Sequence, residues 1–146
     1  GSVFELWLPL ADVLPAASAS SNRAPTLLYI EDNDVDMLIV RELLKQRPRV
    51  AFHGAVDGIS GVRMAHEQQP SLVLIDMQLP DIDGTEVLRR LRADPLTASI
   101  PCIALSANAM PEDMQSARAA GFDDYWTKPI DLSAFLGVID RLMATA

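Results

Sequence analysis

Five short apolar segments recur along the chain, each bounded by polar or turn-forming residues. Each segment is too short for a helix, and the β-branched side chains within it favour a buried strand. The segment near residue 50 has the weakest pattern, because His53 and Gly54 interrupt it. The predicted strands are Thr26–Ile30, Val50–Ala55, Leu72–Ile75, Pro101–Leu105 and Asp124–Thr127.

Apolar residues three or four positions apart follow every strand and predict an amphipathic helix there. The predicted helices cover about 34–46, 58–67, 84–93, 112–120 and 132–143. The side chains expected to cap four of them are Asn33 or Asp34, Asp57, Asp83, and Asp131 or Ser133. In the first helix, the residues expected to face the core are Val35, Leu38, Ile39, Leu43 and Leu44. Strands alternating with helices predict an α/β fold, a doubly wound five-stranded parallel sheet with five helices.

Residues 1–25 differ in character from the rest of the chain. Residues 1–10 read GSVFELWLPL, a strand-like apolar piece, and residues 11–25 are rich in alanine, serine and proline. The second composition predicts a flexible linker, and an isolated strand cannot form a domain. We therefore expect residues 1–10 to be a remnant of an upstream domain or in part a tag, with the folded domain at 26–146.

The composition is that of one acidic domain. The 146 residues include 20 acidic and 12 basic side chains, and the formal net charge of −8 argues against binding to nucleic acid or an anionic membrane. No apolar run is long enough to span a bilayer, and no signal peptide is visible. The single cysteine, Cys102, lies in an apolar run, which predicts a buried thiol and a reducing, cytoplasmic location. Arg89, Arg90 and Arg92 are expected to form a solvated helix face.

The most informative residue is Asp76, which directly follows the buried strand at 72–75. Open α/β sheets bind their ligands at the carboxyl ends of their strands. A carboxylate at this edge is costly unless a cation or hydrogen-bond donors meet it. Asp83 is better placed than Asp76 to cap the next helix. Asp76 is therefore predicted to be a site residue.

The ends of three other strands carry complementary chemistry, with the residues Glu31, Asp32, Ser106 and Lys128. Carboxylates gathered at one sheet edge repel one another unless a hard divalent cation such as Mg²⁺ joins them. A hydroxyl and an ammonium group can contact anionic oxygens. Together these groups predict a phosphoryl-transfer site of the aspartyl-phosphate kind.

Four segments, YIEDN, LIDMQLPDIDG, ALSANA and DDYWTKPID, resemble the motifs of the receiver domains of two-component signalling, which have a flavodoxin-like fold. The resemblance implies that Asp76 is the phosphoacceptor and that Ser106 and Lys128 contact the phosphoryl oxygens. It implies a cis bond between Lys128 and Pro129. The implied magnesium ligands are Asp32, Asp76, the backbone carbonyl of Gln78 and, through water, Glu31; the implied switch residues are Ser106 and Tyr125. Trp126 is bulkier than the family's usual residue.

A shorter resemblance concerns residues 1–10, which are similar to the last strand of a histidine-kinase ATP-binding domain. It implies that the chain is the C-terminal receiver of a hybrid sensor histidine kinase. The receiver itself would be cytoplasmic, even if its parent chain is membrane-anchored. The implied partners are a histidine-kinase dimerisation and phosphoacceptor domain and a histidine phosphotransfer protein, with a weak homodimer left open. The isolated domain would catalyse only its own phosphorylation and dephosphorylation.

The alternative function is that of a phosphatase. Residues 81–85 read DIDGT, which matches the nucleophile motif of haloacid-dehalogenase-type phosphatases and would make Asp81 and Asp83 the acting carboxylates. Leu79 and Pro80 stand where that motif needs its strand, and the chain is short for an enzyme with a substrate cap. A nucleotide-binding Rossmann fragment is less favoured still, because no glycine-rich loop follows the first strand.

Overall fold

The computed structural model describes residues 25–108 and 110–145, and they form a parallel sheet with helices on both faces. The strands are β1 (Thr26–Ile30), β2 (Ala51–Ala55), β3 (Leu72–Asp76), β4 (Cys102–Ser106) and β5 (Asp124–Thr127). Their order across the sheet is β2-β1-β3-β4-β5, and every neighbouring pair is parallel. The predicted doubly wound, five-stranded sheet is therefore confirmed.

Four of the five described helices begin at predicted capping residues, and the fourth helix begins at Pro111 without a side-chain cap. Asn33 accepts hydrogen bonds from two backbone amides of the first helix, and Asp57, Asp83 and Asp131 each accept one from the helix that follows. Gly121, with φ of 110°, ends the fourth helix in the left-handed region that favours glycine. The helices are α1 (Asp34–Leu44), α2 (Gly58–Gln68), α3 (Gly84–Ala93), α4 (Pro111–Ala120) and α5 (Leu132–Thr145).

Alternating residues of each buried strand divide the core into two clusters, one on each face of the sheet. On β1, Leu28 and Ile30 pack toward α2, α3 and α4, whereas Leu27 and Tyr29 pack toward α1 and α5. Cys102 is fully buried in the first cluster, and burial raises the pKa of its thiol to about 12. The prediction of a buried cysteine is confirmed.

The predicted core-facing side of α1 is wrong for three of its five residues and correct for Leu43 and Leu44, which pack in the core. Val35, Leu38 and Ile39 are 64%, 55% and 44% exposed, whereas Val40 and Leu44 are buried against the sheet. The helix carries two apolar stripes, and only packing on β1 and β2 decides which of them is covered. Ile59, at the start of α2, is likewise exposed. An apolar surface therefore remains on α1.

Arg92 departs from the expected solvated face of α3. Arg89 and Arg90 are exposed and bind Glu86. The guanidinium of Arg92 instead donates to the backbone carbonyl of Ile100 at 2.7 Å and to the Asp123 carboxylate at 3.2 Å. Asp123 also accepts the amide of Cys102, the first residue of β4. Arg92 therefore ties α3 to the residues that precede β4 and β5.

The expectations for residues 1–10 and for most of the linker fall on residues 1–24, outside the described part of the chain. Within the described ranges, the helices lack the length and apolar content that crossing a membrane requires.

Candidate functional site

Asp76 is the last residue of β3 and lies at the carboxyl edge of the sheet. Its side chain is nearly buried, with 5% of the residue exposed. Oδ1 accepts a hydrogen bond of 3.0 Å from the backbone amide of Gln78, and Oδ2 lies 3.3 Å from Nζ of Lys128. Both carboxylate oxygens therefore meet a donor, which is what a charged carboxylate at a buried edge requires.

Glu31 follows β1 and is more deeply buried than Asp76, with 1% of the residue exposed. Its Oε1 accepts from the Tyr29 hydroxyl at 2.9 Å and from Lys128 at 2.5 Å, and its Oε2 accepts from the Asn33 amide at 3.1 Å. Burial and the neighbouring Asp76 carboxyl raise the pKa of Glu31, and the hydrogen bond from Lys128 opposes that rise.

Lys128 joins the two strand ends. Besides Glu31 and Asp76, its ammonium group contacts Oδ2 of Asp36 at 3.2 Å. Burial alone would lower the pKa of Lys128, but the hydrogen bond to Glu31 and the charge of Asp76 outweigh burial and raise it. The Lys128–Pro129 peptide bond is cis, as the sequence resemblance implied. The lysine is therefore a permanent cation within a group of carboxylates.

The acidic residues at the ends of β1 and β3 meet the requirements of a hard divalent cation. Glu31, Asp32 and Asp76 each place a carboxylate oxygen within 4.8 Å of the other two. Asp32 is exposed, so one side of the group is open to water. The single ammonium of Lys128 cannot compensate the charge of these three carboxylates. Mg²⁺ accepts such oxygen ligands while keeping several waters. The residues present therefore fit this ion.

Ser106 and Tyr125 are linked through one loop residue. Ser106 ends β4, and its hydroxyl accepts a hydrogen bond of 3.0 Å from the amide of Asn108. Tyr125 is buried beneath that loop, and its hydroxyl donates to the carbonyl of Asn108 at 2.6 Å. The two predicted switch residues thus bond the amide and the carbonyl of the same loop residue.

Trp126 has a structural environment of its own on β5. It packs against the core cluster that faces α1 and α5, on the opposite side of the sheet from Tyr125. Its indole donates to Oδ2 of Asp124 at 3.1 Å. Burial raises the pKa of Asp124 despite this bond. Trp126 therefore packs on the face of β5 that is covered by α1 and α5, and it does not enter the group of carboxylates.

Two residues of the site were missed by sequence reasoning, Tyr29 and Asp36. A usable signal existed for Tyr29, because residues two apart on a strand share a face and Tyr29 precedes Glu31 by two. No local signal connects Asp36 with Lys128, which lies 92 positions away. That contact forms because the side chain of Lys128 reaches along the carboxyl edge of the sheet to the start of α1.

The carboxylates of the phosphatase alternative are engaged as helix caps. Asp81 accepts the amides of Gly58 and Ile59, both at 2.8 Å, and so holds the loop after β3 against the start of α2. Asp83 accepts the amide of Glu86 at 2.8 Å. Nothing in the geometry or in the similarities described below supports a phosphatase of that type.

Comparison with known proteins gives one consistent family. A family model described as "Response regulator receiver domain" matches residues 27–140. The chain is 37% identical over 131 residues to the sensor protein GacS of Pseudomonas syringae pv. syringae, covering 86% of this chain and 14% of GacS. It is 31% identical over 121 residues to the polar-differentiation response regulator DivK of Brucella anthropi, covering 83% of this chain and 98% of DivK.

A solved structure shows the same fold. The receiver domain of the sensor histidine kinase PA1611 from Pseudomonas aeruginosa matches with a TM-score of 0.74 and 30% identity, over 83% of this chain and 98% of that one. Its crystal structure has a magnesium ion coordinated in the active site cleft. Because the family match extends over most of the chain, from β1 into α5, this protein belongs to the response regulator receiver domain family.

Proposed function

We propose that this receiver domain takes a phosphoryl group from a phosphohistidine onto Asp76, with Mg²⁺ bound beside it, and relays the group or signals by changing conformation. The observation that carries the proposal is the environment of Asp76. Its buried carboxylate lies 3.3 Å from a lysine ammonium and within 4.8 Å of the oxygens of two further acidic residues. A nucleophile, a cation and a metal-binding group are thus assembled at one sheet edge.

The residues that would hold Mg²⁺ come from two loops. Asp32 and Asp76 would bind it directly, together with the backbone carbonyl of Gln78, and Glu31 would bind it through water. The amide of Gln78 already bonds Asp76, which keeps this part of the loop beside the carboxylate. When bound, Mg²⁺ neutralises charge on the oxygens of the transferring phosphoryl group.

The remaining residues hold the phosphoryl group and the developing charge. A carboxylate oxygen of Asp76 forms a bond to phosphorus, and the bond between phosphorus and the imidazole nitrogen breaks. The bonding electrons return to that nitrogen, which takes up a proton from solvent. Lys128 and the Ser106 hydroxyl donate to phosphoryl oxygens, and Lys128 needs only a short movement because it already contacts Asp76.

The exposed apolar face of α1, formed by Val35, Leu38 and Ile39, is the proposed docking surface for the phosphohistidine domain. It lies on the helix whose Asp36 contacts Lys128, so a partner seated there is close to Asp76. The acidic residues around this face, with the chain's net charge of −8, favour a partner with basic groups at the rim. Receiver domains act with histidine-kinase or phosphotransfer partners in general, and we assign this surface to a helical histidine-bearing domain of either kind.

The proposed setting is the receiver of a hybrid sensor histidine kinase, located in the cytoplasm. The similarity to GacS supports this setting, although the chain spans only 14% of that protein. The similarity of residues 1–10 of this chain to the last strand of a histidine-kinase ATP-binding domain is a second argument for it. The similarity to DivK, of which the match covers 98%, shows that the same fold also occurs in response regulators of about this length.

Labelling of single-residue variants tests the proposed function. With acetyl phosphate or a phosphohistidine protein as donor, the wild-type chain should acquire an acid-stable, base-labile label that requires Mg²⁺. Asp76→Asn should abolish the label, and Asp81→Asn should retain it. A label that survives Asp76→Asn and disappears in Asp81→Asn would contradict the proposal.

A further inference from the structure

We propose that Tyr29 is a positioning residue of the metal site, whose buried hydroxyl holds the Glu31 carboxylate in place beside the other acidic ligands. The inference rests on the proposed function, because it concerns the Mg²⁺ site assigned there. It gives a role in the site to a core aromatic residue to which the sequence reasoning assigned none.

The strand geometry makes the contact between the two residues direct. Tyr29 and Glu31 are two positions apart at the end of β1, so their side chains leave the same face of the sheet. The ring of Tyr29 is completely buried in the cluster beneath α1 and α5. Its hydroxyl donates to Oε1 of Glu31 at 2.9 Å. A rigid, packed ring therefore carries the donor to a fixed position at the edge of the site.

The three donors to Glu31 differ in how firmly they are held. Asn33 donates to Oε2 through a backbone amide, and Tyr29 donates to Oε1 from the packed core. Lys128, the third donor, is shared between Glu31, Asp36 and Asp76 through a flexible side chain. When Lys128 turns toward a phosphoryl oxygen, Tyr29 remains the donor on Oε1.

Glutamate at position 31 needs such a donor more than aspartate would. Its side chain has one more rotatable bond, so its carboxylate loses more rotamer freedom when it is fixed beside a metal. A fixed donor of this kind lowers the cost of orienting the glutamate before the metal binds.

The competing explanation is that Glu31 merely satisfies a buried hydroxyl, in which case only stability depends on the contact. Tyr29→Phe separates the two, because it keeps the ring and removes the hydroxyl. Thr97→Val is a matched control. Thr97 lies in the segment after α3 and is also buried, and its hydroxyl donates to the carbonyl of Leu91 at 2.6 Å. Both variants lose one buried hydrogen bond, but only the first loses one at the site.

Calorimetric titration of the 146-residue chain with MgCl₂ is the first measurement. We expect Tyr29→Phe to weaken Mg²⁺ binding about three- to tenfold and Thr97→Val to leave it within about twofold of wild type. If a variant is too unstable for calorimetry, the rise in its thermal midpoint with added Mg²⁺ reports the same affinity. Unchanged affinity in Tyr29→Phe, or an equal loss in Thr97→Val, would overturn the inference.

A double-mutant cycle with Glu31→Asp tests whether the effect passes through Glu31. The shorter aspartate withdraws the carboxylate from the Tyr29 hydroxyl, so Tyr29→Phe should have no further effect on Mg²⁺ affinity in that background. Additive losses would overturn the inference.

Acetyl phosphate labelling at increasing Mg²⁺ gives an independent measurement. The half-saturating Mg²⁺ concentration should rise in Tyr29→Phe, and the limiting rate should stay within about twofold of wild type. Absence of Mg²⁺ binding by the wild-type chain would instead overturn the proposed function.

Discussion

The Tyr125 hydroxyl donates a hydrogen bond of 2.6 Å to the backbone carbonyl of Asn108. The amide of the same Asn108 bonds the hydroxyl of Ser106, so the buried aromatic and the strand-end serine hold one loop between them. Movement of Ser106 toward a phosphoryl group would break its bond to Asn108 and free the segment that Tyr125 supports. We therefore propose that these contacts couple the site to the surface of α4 and β5.

We expect phosphorylation to change that surface. Beryllofluoride, which mimics the phosphoryl group, should alter amide hydrogen exchange in α4 and around Tyr125 as well as in the loops near Asp32 and Asp76. The added oxygens attract the Ser106 hydroxyl, and the side chain of Tyr125 takes up the vacated space. Exchange differences confined to the loops around the site would instead favour a receiver that only relays its phosphoryl group. The altered surface is also where a second copy of the chain could bind.

Removal of a single metal ligand should weaken Mg²⁺ binding further. We expect the wild-type chain to bind Mg²⁺ with a dissociation constant of about 1 mM, because few protein ligands replace water. This value corresponds to a binding free energy of about 4 kcal/mol. Asp32→Ala should weaken binding by about tenfold or more, since Asp32 is one of the three carboxylates whose oxygens converge. Asp34→Ala, which removes a nearby exposed carboxylate at the start of α1, is the control and should bind nearly normally. Calorimetry is the measurement, and equal binding by wild type and Asp32→Ala would refute the assignment.

The docking surface on α1 can be separated from the chemistry by the choice of phosphodonor. Leu38→Ser removes an exposed apolar side chain and should slow transfer from a phosphohistidine protein about five- to tenfold. Labelling by acetyl phosphate should be unchanged, because this small donor makes no contact with α1. Leu96→Ser, an equivalent change in the loop after α3 at a similarly exposed residue, should slow neither reaction. Equal slowing with both donors would place the effect of Leu38→Ser in the site and not on the docking surface.

A close approach between α2 and β1 should make Gly61 intolerant of a side chain. A Cβ at this position would lie 2.3 Å from Cδ1 and 2.6 Å from Cγ1 of Ile30. Gly61→Ala should therefore reduce the free energy of unfolding by about 1–3 kcal/mol. Gly137→Ala in α5 meets no atom within 4 Å and should increase it by up to about 1 kcal/mol. Urea denaturation measures both values, and similar effects of the two variants would contradict the predicted packing.

The sequence by itself determined the elements and the reactive strand ends of this protein. The bounds of β1, β5 and α3 agree with those predicted, and Asp57 and Asp83 cap their helices as expected. These features depend on interactions between residues close together in the chain, which periodicity and capping preferences describe directly. Parallel connectivity then places the strand ends at one edge, so the grouping of Asp76 with Lys128 could be predicted without coordinates.

Only the tertiary structure decided which of several plausible surfaces each helix buries and which side chains complete the site. The α1 helix could have buried either of two apolar stripes, and packing on the sheet selected Val40 and Leu44. Arg92 turned from an expected solvent-facing residue into a link with Asp123, 31 positions away. Asp36 and Lys128, 92 positions apart, meet because the start of α1 and the residue after β5 lie at the same carboxyl edge of the sheet. Such contacts depend on the relative placement of whole elements, and local sequence preferences carry no information about that placement.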